Sequence, residues 1–530
     1  MDTPIKRIAI IGGGYAGLSS IWTLLEEGGF EPVCFEKTDK PGGTWCYRKE
    51  VMNGVPSIMP TTITNHSKEM GAVSNWPPPK ESSIFMRHNE IYQYVLDIAK
   101  SRGALKHILY NMEVIKVKRA DDYEESGRWS VTVRNTVTEQ ASTDVFDGVL
   151  VCVGHFNRPK MPSYPGQELY KNHIIHTHSL KEVEPYRNKT VVVVGMGCSG
   201  LDAAVEISSI AKQVYLSTRS GAHVLHRAGP NGYPMDYSLL RRWLYILLYM
   251  LPPQAYSWLL ESVFADPQFN QNMYAVKPQH HILSKEPVIN DCLASKLLSG
   301  LVKQVPDIQA FTEDGVIFEG DTEVTKTDVV IMGTGYTWEF PFLEEDILVH
   351  EQGRFNLYKC MYPVNLHHGT LSFIGFVLPF GPGFPIAELQ IRWATQVLAG
   401  NCKLPSKEVM LQDVLKRHSY NVARYAPSEK ISIRIDIIQY CDDVASQIGA
   451  KPNFIKVLLT DPKLFLKLVF GPSLPYQYRL QGPHSWDGAR EAIMTCEERL
   501  FYPLKKMSSM EPPENIFLTI LKKILRALVL

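Results

Sequence analysis

The chain has no excess of charge of either sign, because its 55 lysines and arginines balance its 55 aspartates and glutamates. A neutral chain gives no electrostatic reason to expect nucleic acid as the main partner. With 45% hydrophobic and 21% charged residues, the composition is ordinary for a globular protein and excludes disorder of the bulk. The length of 530 residues predicts two or three domains.

Paired cysteines are also missing. The nine cysteines are scattered and no Cys-x-x-Cys pair occurs, which argues against a zinc ribbon or other metal site and against a redox dithiol. A disulfide reductase would need a second cysteine close to Cys46, and residues 47–51 supply none. An odd, dispersed set of cysteines in a long chain is typical of reduced thiols that face the cytosol.

Two parts of the chain show the order of strand, glycine-rich turn, helix and strand that is typical of a nucleotide-binding βαβ unit. The apolar runs predict helices at 18–27 and 201–210 and strands at 8–11, 32–36, 147–153, 190–194, 213–217 and 328–332. The predicted fold is therefore α/β, with two Rossmann-like dinucleotide-binding domains and a helical C-terminal extension.

The first glycine turn, GGGYAG, matches G-x-G-x-x-G at Gly12, Gly14 and Gly17. Such glycines permit a tight turn, let a diphosphate approach the backbone, and let the helix pack closely on the strand. Glu36 stands at the end of the next predicted strand, where an acid binds ribose hydroxyls, and the segment GGTW follows it. The predicted FAD-binding residues are Gly12, Gly14, Gly17, Glu36, Gly43 and Trp45.

The second glycine turn, GMGCSG, matches the same pattern at Gly195, Gly197 and Gly200. Arg219 follows it at the spacing at which Glu36 follows the first turn. An acid there would repel a 2′-phosphate, whereas a guanidinium binds one with two hydrogen bonds, so the second site is predicted to take NADPH. Ser199 is either a ligand of the diphosphate or an ordinary residue of the first helical turn. The predicted NADPH-binding residues are Gly195, Gly197, Ser199, Gly200, Ser217 and Arg219.

Further short motifs carry a resemblance to a known family. They are NHSKEM at 65–70, STR at 217–219, TGY at 334–336, FPFL at 340–343, ELQ at 388–390, RWATQ at 392–396, QGP at 481–483 and WDGAR at 486–490. Over almost its whole length the chain resembles flavin-containing monooxygenases of the eukaryotic, membrane-associated, dimethylaniline N-oxide-forming type. It departs from the family pattern at Cys198, where asparagine is usual, at Gly333, where alanine is usual, and at Leu180, which ends a linking signature in place of an aromatic residue.

The resemblance implies that FAD, reduced by NADPH, reacts with O2 to form a C4a-hydroperoxyflavin, which oxygenates nucleophilic nitrogen or sulfur in small amines and sulfides. It also implies that Asn65 lies near the flavin as the catalytic residue that hydrogen-bonds the peroxide, and that Thr334 belongs to the cofactor site. No catalytic triad is needed, because the cofactor carries the hard chemistry. Baeyer–Villiger oxygenation of ketones, an NADPH oxidase that releases hydrogen peroxide, and a non-catalytic flavoprotein are the open alternatives.

The order of the two units predicts the domain boundaries. Residues 1–165 and 325–450 are expected to form a discontinuous FAD-binding domain. Residues 166–324 are expected to form the NADPH-binding domain, with a helical insertion at about 225–300. Residues 451–530 are then a C-terminal region.

The chain is expected to end in an amphipathic helix that anchors it to membrane lipid. In residues 516–530 the polar side chains fall at i, i+3, i+4 and i+7, and three of them are basic. Placing each basic side chain at the centre of a bilayer would cost about 2.5–3.5 kcal/mol, so an in-plane helix is favoured. The apolar stretch 243–251 is either a second lipid contact or a buried helix. The resemblance implies that the membrane is the endoplasmic reticulum and that the enzyme lies on its cytosolic face. Whether the protein forms a homo-oligomer is left undecided by the sequence.

Overall fold

Two parallel five-stranded sheets form the centre of the molecule. The computed structural model describes residues 4–265, 267, 269–351 and 353–504. The central strands are almost wholly buried, as parallel strands covered on both faces require. The predicted α/β fold with two Rossmann-like units is confirmed.

The first sheet contains the strand that precedes the first glycine turn. In spatial order its strands are Leu371–Phe373, Gly148–Val151, Lys6–Ile11, Phe30–Phe35 and Ile108–Leu109, and all neighbours run parallel. The helices Tyr15–Glu27 and Phe384–Leu398 pack against each other beside it. One edge strand comes from beyond the second βαβ unit, so two separate parts of the chain build this sheet.

The second sheet repeats this arrangement. Its strands, again all parallel, are Val302–Val305, Gln213–Ser217, Thr190–Val194, Val329–Met332 and His173–His176. The helix Cys198–Ile207 contacts the strand Thr190–Val194, which precedes it, and the strand Gln213–Ser217, which follows it. In both sheets the glycine turn follows the carboxyl end of the middle strand, which is where open α/β sheets bind ligands.

The two helices after the glycine turns begin earlier than the sequence predicts. They start at Tyr15 and Cys198 rather than at residues 18 and 201. Gly14 and Gly197 are extended and occupy the cap positions, so helical geometry begins at the next residue. The first backbone N–H groups of each helix therefore lie inside the turn, where a diphosphate can reach them.

Smaller antiparallel sheets accompany the two parallel ones. One consists of Met112–Arg119, Trp129–Asn135 and Ala141–Phe146, and the other of Ile308–Phe311, Gly315–Phe318 and Thr325–Lys326. Short strand pairs join Arg158–Pro159 with Tyr336–Thr337 and Val224–Leu225 with Val288–Ile289.

Most of the remaining helices lie in the second half of the chain. The further helices are His88–Ser101, Tyr123–Ser126, Met235–Leu239, Arg242–Met250, Pro253–Leu260, Leu293–Leu298, Lys407–Arg424, Ile437–Gln447, Phe454–Thr460, Pro462–Phe470, Ala489–Met494 and Cys496–Phe501. Within the described part of the chain, no helix is long and apolar enough to cross a membrane. The amphipathic helix predicted at 516–530 lies outside the described residues.

A buried ion pair links the C-terminal region to the helix Phe384–Leu398 beside the first sheet. The Arg479 guanidinium lies 2.6 Å from the Glu388 carboxylate, and their side chains are 0% and 1% exposed. The Ser74 backbone N–H and hydroxyl also donate to this carboxylate, at 2.8 and 2.7 Å. Removing one partner of such a pair leaves an uncompensated buried charge, so the contact fixes how these segments dock.

Candidate functional site

The first glycine turn leaves no room for side chains at Gly12, Gly17 and Gly43, whereas a Cβ on Gly14 would make only ordinary contacts. Gly12 has a φ of +101°. A Cβ on Gly17 would lie 1.9 Å from the carbonyl oxygen of Gly12, because the helix starts directly against the strand end. A Cβ on Gly43 would lie 2.9 Å from the Cα of Gly14. The short turn Gly43–Trp45 therefore closes over the glycine turn backbone to backbone.

Glu36 is held rigidly beside this turn. Its Oε2 accepts a hydrogen bond from the backbone N–H of Gly13 at 2.8 Å. Its Oε1 accepts from the backbone N–H and the hydroxyl of Thr38, at 2.9 and 2.6 Å. A carboxylate has about four lone-pair directions, so Oε2 keeps capacity for a further donor. A ribose hydroxyl is such a donor.

A cavity of about 510 Å³ opens at the turn. Its volume lies within the range of about 300–1,000 Å³ that is usual for ligand sites. Of the residues predicted to bind FAD, it is lined by Gly12, Gly14, Glu36, Gly43 and Trp45. Gly17 lies behind the turn and serves the packing of helix on strand. Backbone N–H groups for a diphosphate and a carboxylate for a ribose suit FAD, so the residues present fit this cofactor.

The second glycine turn has the same internal geometry. Gly195 has a φ of +100°, and a Cβ on Gly200 would lie 2.1 Å from its carbonyl oxygen. A Cβ on Gly333 would lie 2.8 Å from the Cα of Gly200, so in this backbone the position takes glycine. A Cβ on Gly197 would meet nothing within 4 Å. The turn is thus open on the side from which a diphosphate approaches.

The predicted polar residues at or near the second site differ in whether their side chains are exposed or already hydrogen-bonded. Ser199 and Arg219 are exposed, and Arg219 forms no hydrogen bond or ion pair with any described residue. Ser217 is fully buried and donates its hydroxyl to the Pro306 carbonyl at 2.9 Å. Thr334 donates its hydroxyl to the Lys160 carbonyl at 2.5 Å. Arg219 is therefore the predicted residue with an uncommitted charge for a 2′-phosphate.

Asn65 contacts the second glycine turn and is not among the residues that line the first cavity. Its Nδ2 lies 3.6 Å from the Sγ of Cys198, the first residue of the helix after the second glycine turn. Burial raises the pKa of the Cys198 thiol, so it stays protonated at neutral pH. Asn65 itself is exposed. The contact brings a residue that follows the first βαβ unit to the second glycine turn.

No sequence motif pointed to Arg227, which orients Asn65. Its Nη2 donates to the Asn65 Oδ1 at 2.9 Å, and its Nε donates to the Thr64 carbonyl at 3.1 Å. Its Nη1 lies 2.6 Å from an Asp291 carboxylate oxygen, and the backbone N–H of Arg227 donates to the other at 2.7 Å. Because the Arg227 guanidinium holds Oδ1, the Asn65 amide directs its Nδ2 donor toward Cys198.

Other side chains at the sites also escaped prediction. Tyr15 and Phe384 stack with ring centroids 3.6 Å apart and line the first cavity. His155 lines it too, and burial lowers its pKa to about 4, so this imidazole is neutral at physiological pH.

His176 lies in the linking signature that ends at Leu180. It contacts the Gly335 carbonyl at 3.0 Å and accepts a hydrogen bond from the backbone N–H of His178, which is a structural role.

Comparisons with known proteins identify relatives over nearly the whole chain. The family model described as flavin-binding monooxygenase-like matches residues 5–530. The human protein named flavin-containing monooxygenase 2 is 39% identical over 522 residues, covering 98% of this chain and 97% of its own. The guinea pig protein named flavin-containing monooxygenase 5 is 41% identical over 501 residues, covering 94% of this chain and 93% of its own.

Solved structures share the fold. The S-allyl-L-cysteine S-oxygenase from Allium sativum superposes with a TM-score of 0.63 at 22% identity, covering 92% of this chain and 99% of its own. The NADP+-bound cyclohexanone monooxygenase from Rhodococcus superposes with a TM-score of 0.58 at 14% identity, covering 84% and 97%.

Proposed function

This chain belongs to the flavin-binding monooxygenase-like family, and from this premise we propose which of its residues hold the cofactors and which one acts on oxygen. The chain is an FAD- and NADPH-dependent monooxygenase that oxygenates nucleophilic nitrogen or sulfur in small molecules. When bound, FAD and NADPH supply the reduction of O2. The protein binds and orients them and excludes water.

FAD is held by the first glycine turn. The backbone N–H groups that follow Gly12 and Gly14 bind its diphosphate, and Gly17 keeps the helix close enough for them to do so. Glu36 accepts from the ribose hydroxyls with the free direction on its Oε2, which supports this role. Gly43, which packs against Gly14, and Trp45 line the same cavity and would contact the bound cofactor.

NADPH is held by the second glycine turn, with its diphosphate at Gly195, Gly197, Ser199 and Gly200. Arg219 binds the 2′-phosphate, which its exposed and uncommitted guanidinium supports. Ser217 and Thr334 act indirectly, since their hydroxyls donate to the backbone carbonyls of Pro306 and Lys160 and hold the backbone around the site. Arg219→Gln should raise the KM for NADPH about tenfold or more and leave that for NADH unchanged. Equal changes for both nucleotides would remove Arg219 from the site.

Asn65 is the residue that acts on oxygen. The observation that supports this proposal is the contact of its amide with Cys198 in the second glycine turn. From this position the Asn65 amide, oriented by Arg227, would donate a hydrogen bond to oxygen bound near that turn. In Asn65→Leu we expect flavin content to stay normal while oxygen transfer falls and hydrogen peroxide release rises. Unchanged oxygen transfer would refute the role.

Substrates are small amines and sulfides rather than ketones. Similar proteins carry names that specify N-oxide formation and S-oxygenation, whereas cyclohexanone monooxygenases share the fold at lower sequence identity. The test feeds a tertiary amine, a thioether and a cyclic ketone separately to the detergent-purified protein with NADPH. We expect an N-oxide and a sulfoxide. A lactone as the main product would favour Baeyer–Villiger oxygenation, and hydrogen peroxide alone would favour an NADPH oxidase.

The enzyme lies on the cytosolic face of the endoplasmic reticulum membrane. Residues 1–165 and 325–450 surround FAD, residues 166–324 surround NADPH, and 451–530 form a C-terminal region that ends in the anchoring helix. All nine cysteines are free thiols, which suits a reducing compartment. The strand Leu371–Phe373 in the first sheet supports the discontinuous FAD-binding domain. Fractionation of cells with a protease added outside sealed microsomes tests the location, since a cytosolic-face protein is digested.

A further inference from the structure

Three neighbouring helices expose large apolar side chains. They are Arg242–Met250, Phe454–Thr460 and Pro462–Phe470, and the last of them packs against the other two. Their exposed apolar residues, which we call the docking face, are Ile246, Met250, Ile455, Leu459, Leu466 and Phe470. Leu459, Met250 and Ile455 are 78%, 76% and 74% exposed, which is unusual for side chains of this size.

The opposite sides of these helices are well anchored. Leu464 and Leu468 are buried beneath the face. Arg241 donates to the Phe470 carbonyl at 3.1 Å, and the Arg242 guanidinium lies 4.7 Å from the centre of the Phe454 ring. The helices thus present a fixed apolar surface, and no described residue covers it.

The docking face is also basic. Residues 454–470 contain Lys456, Lys463 and Lys467 and a single acid, Asp461. The Asp461 carboxylate caps the next helix through the Leu464 N–H at 3.1 Å and accepts from Arg490 at 2.6 Å, so its charge is committed. In a chain whose formal net charge is zero, this surface combines apolar side chains with an excess of lysine. Lysine stems lie along apolar surfaces while their ammonium groups reach outward.

We propose that the docking face binds the surface of an anionic lipid bilayer, with the apolar side chains inserted among the acyl chains and the lysines at the phosphates. This rests on the membrane location proposed above. It takes the stretch 243–251 as a lipid contact and adds the helices of 454–470, which no sequence pattern indicated. The helices are too short to span a bilayer and lie side by side, which suits contact in the membrane plane.

The chain's own C-terminal residues are a poorer occupant. The basic residues of 516–530 are Lys522, Lys523 and Arg526, so this segment would meet the lysines of the docking face with like charge. The helix Cys496–Phe501 lies close to these lysines, since Glu497 is 3.9 Å from Lys467. An anionic membrane would attract the basic residues of both segments.

The test uses the full-length, flavin-loaded protein and co-sedimentation with vesicles of phosphatidylcholine, with and without phosphatidylserine. The double variant Ile455→Glu/Leu459→Glu should lower the partition coefficient at least about tenfold, since it puts two carboxylates on the face. The double variant Lys456→Gln/Lys463→Gln should lose most of the preference for phosphatidylserine while still binding phosphatidylcholine. Val137→Glu/Leu298→Glu is the matched control, because both side chains are equally exposed but lie elsewhere.

Control binding should stay within about twofold of the unaltered protein. Unchanged binding of the Ile455→Glu/Leu459→Glu variant would overturn the proposal. If that variant instead showed faster tryptic cleavage at Lys505 or Lys506 without vesicles, the occupant of the docking face would be the C-terminal residues of the chain itself. If it turned a dimer into a monomer, the face would be a contact between two copies. Flavin content and NADPH-dependent sulfoxidation in detergent should not change in these variants, so their loss would count against the proposed function or the fold and not against the lipid contact.

Discussion

Arg227→Lys is the change that tests most sharply how Asn65 is held. The guanidinium of Arg227 reaches Thr64, Asn65 and Asp291 at once because its donors form a planar fork. An ammonium is a single point with three donors and cannot satisfy all three acceptors at their present positions. The Asp291 carboxylate, as the charged acceptor at 2.6 Å, should retain the lysine, so Asn65 loses its partner.

A hydrogen bond from a charged donor contributes about 1.5–3 kcal/mol. Losing the 2.9 Å contact to Oδ1 therefore reduces the population of the present amide orientation by a factor of about 10–150. If Asn65 donates to the reacting oxygen, less oxygen is transferred to substrate and more leaves as hydrogen peroxide. We expect the peroxide formed per NADPH to rise at least about fivefold, with unchanged flavin content.

The assay measures NADPH consumed, sulfoxide formed and peroxide released by the same sample. Arg187→Lys is the control, since that arginine pairs with Glu184 on the surface, away from both glycine turns. Equal coupling of NADPH to product in Arg227→Lys and the unaltered enzyme would refute the reasoning. A similar rise in peroxide for Arg187→Lys would assign the effect to general loosening.

Three further predictions follow from packing and charge. Gly17→Ala should yield protein that purifies without FAD, judged by flavin absorbance, because its Cβ would lie 1.9 Å from a carbonyl oxygen; normal flavin content would contradict this. Glu388→Gln should lower the free energy of unfolding, measured by denaturant titration, by about 3–5 kcal/mol, because it leaves Arg479 charged and buried. As a control, Asp144→Asn removes the exposed ion pair with Arg7 and should change this free energy by no more than about 1 kcal/mol. Burial raises the pKa of Asp202 to about 6, so the folded protein binds this proton more tightly than the unfolded chain and loses stability as pH rises through that pKa. Asp202→Asn should therefore raise Tm relative to the unaltered protein at about pH 7.5 but not at about pH 4.5, and a pH-independent difference would contradict this.

Local backbone chemistry explains why the cofactor turns could be predicted. Gly17 faces Gly12, and Gly200 faces Gly195, through contacts between residues five apart in sequence, so one short pattern carries the whole requirement. Glu36 was predictable for a related reason, since its place at a strand end follows from the length of the βαβ unit.

Contacts between distant segments were beyond prediction. Arg227 and Asn65 are separated by 162 residues, and nothing near either one indicates the pair. Ser217 matched the expected spacing, yet tertiary packing buries it and commits its hydroxyl to Pro306. No sequence pattern separates the exposed from the buried apolar residues of 454–470, and the docking of the helix Pro462–Phe470 determines which of them stay exposed.

The central claim is that oxygen is transferred from the flavin site to a nucleophile, and rapid mixing tests it most directly. The detergent-purified protein is reduced anaerobically with NADPH, mixed with oxygenated buffer, and followed by flavin absorbance and peroxide assay. The account predicts that return of the oxidised flavin is slow alone, accelerates when an amine or sulfide is added, and then releases oxygenated product with little peroxide. Direct return of the oxidised flavin with one equivalent of peroxide, unaffected by either nucleophile, would contradict it.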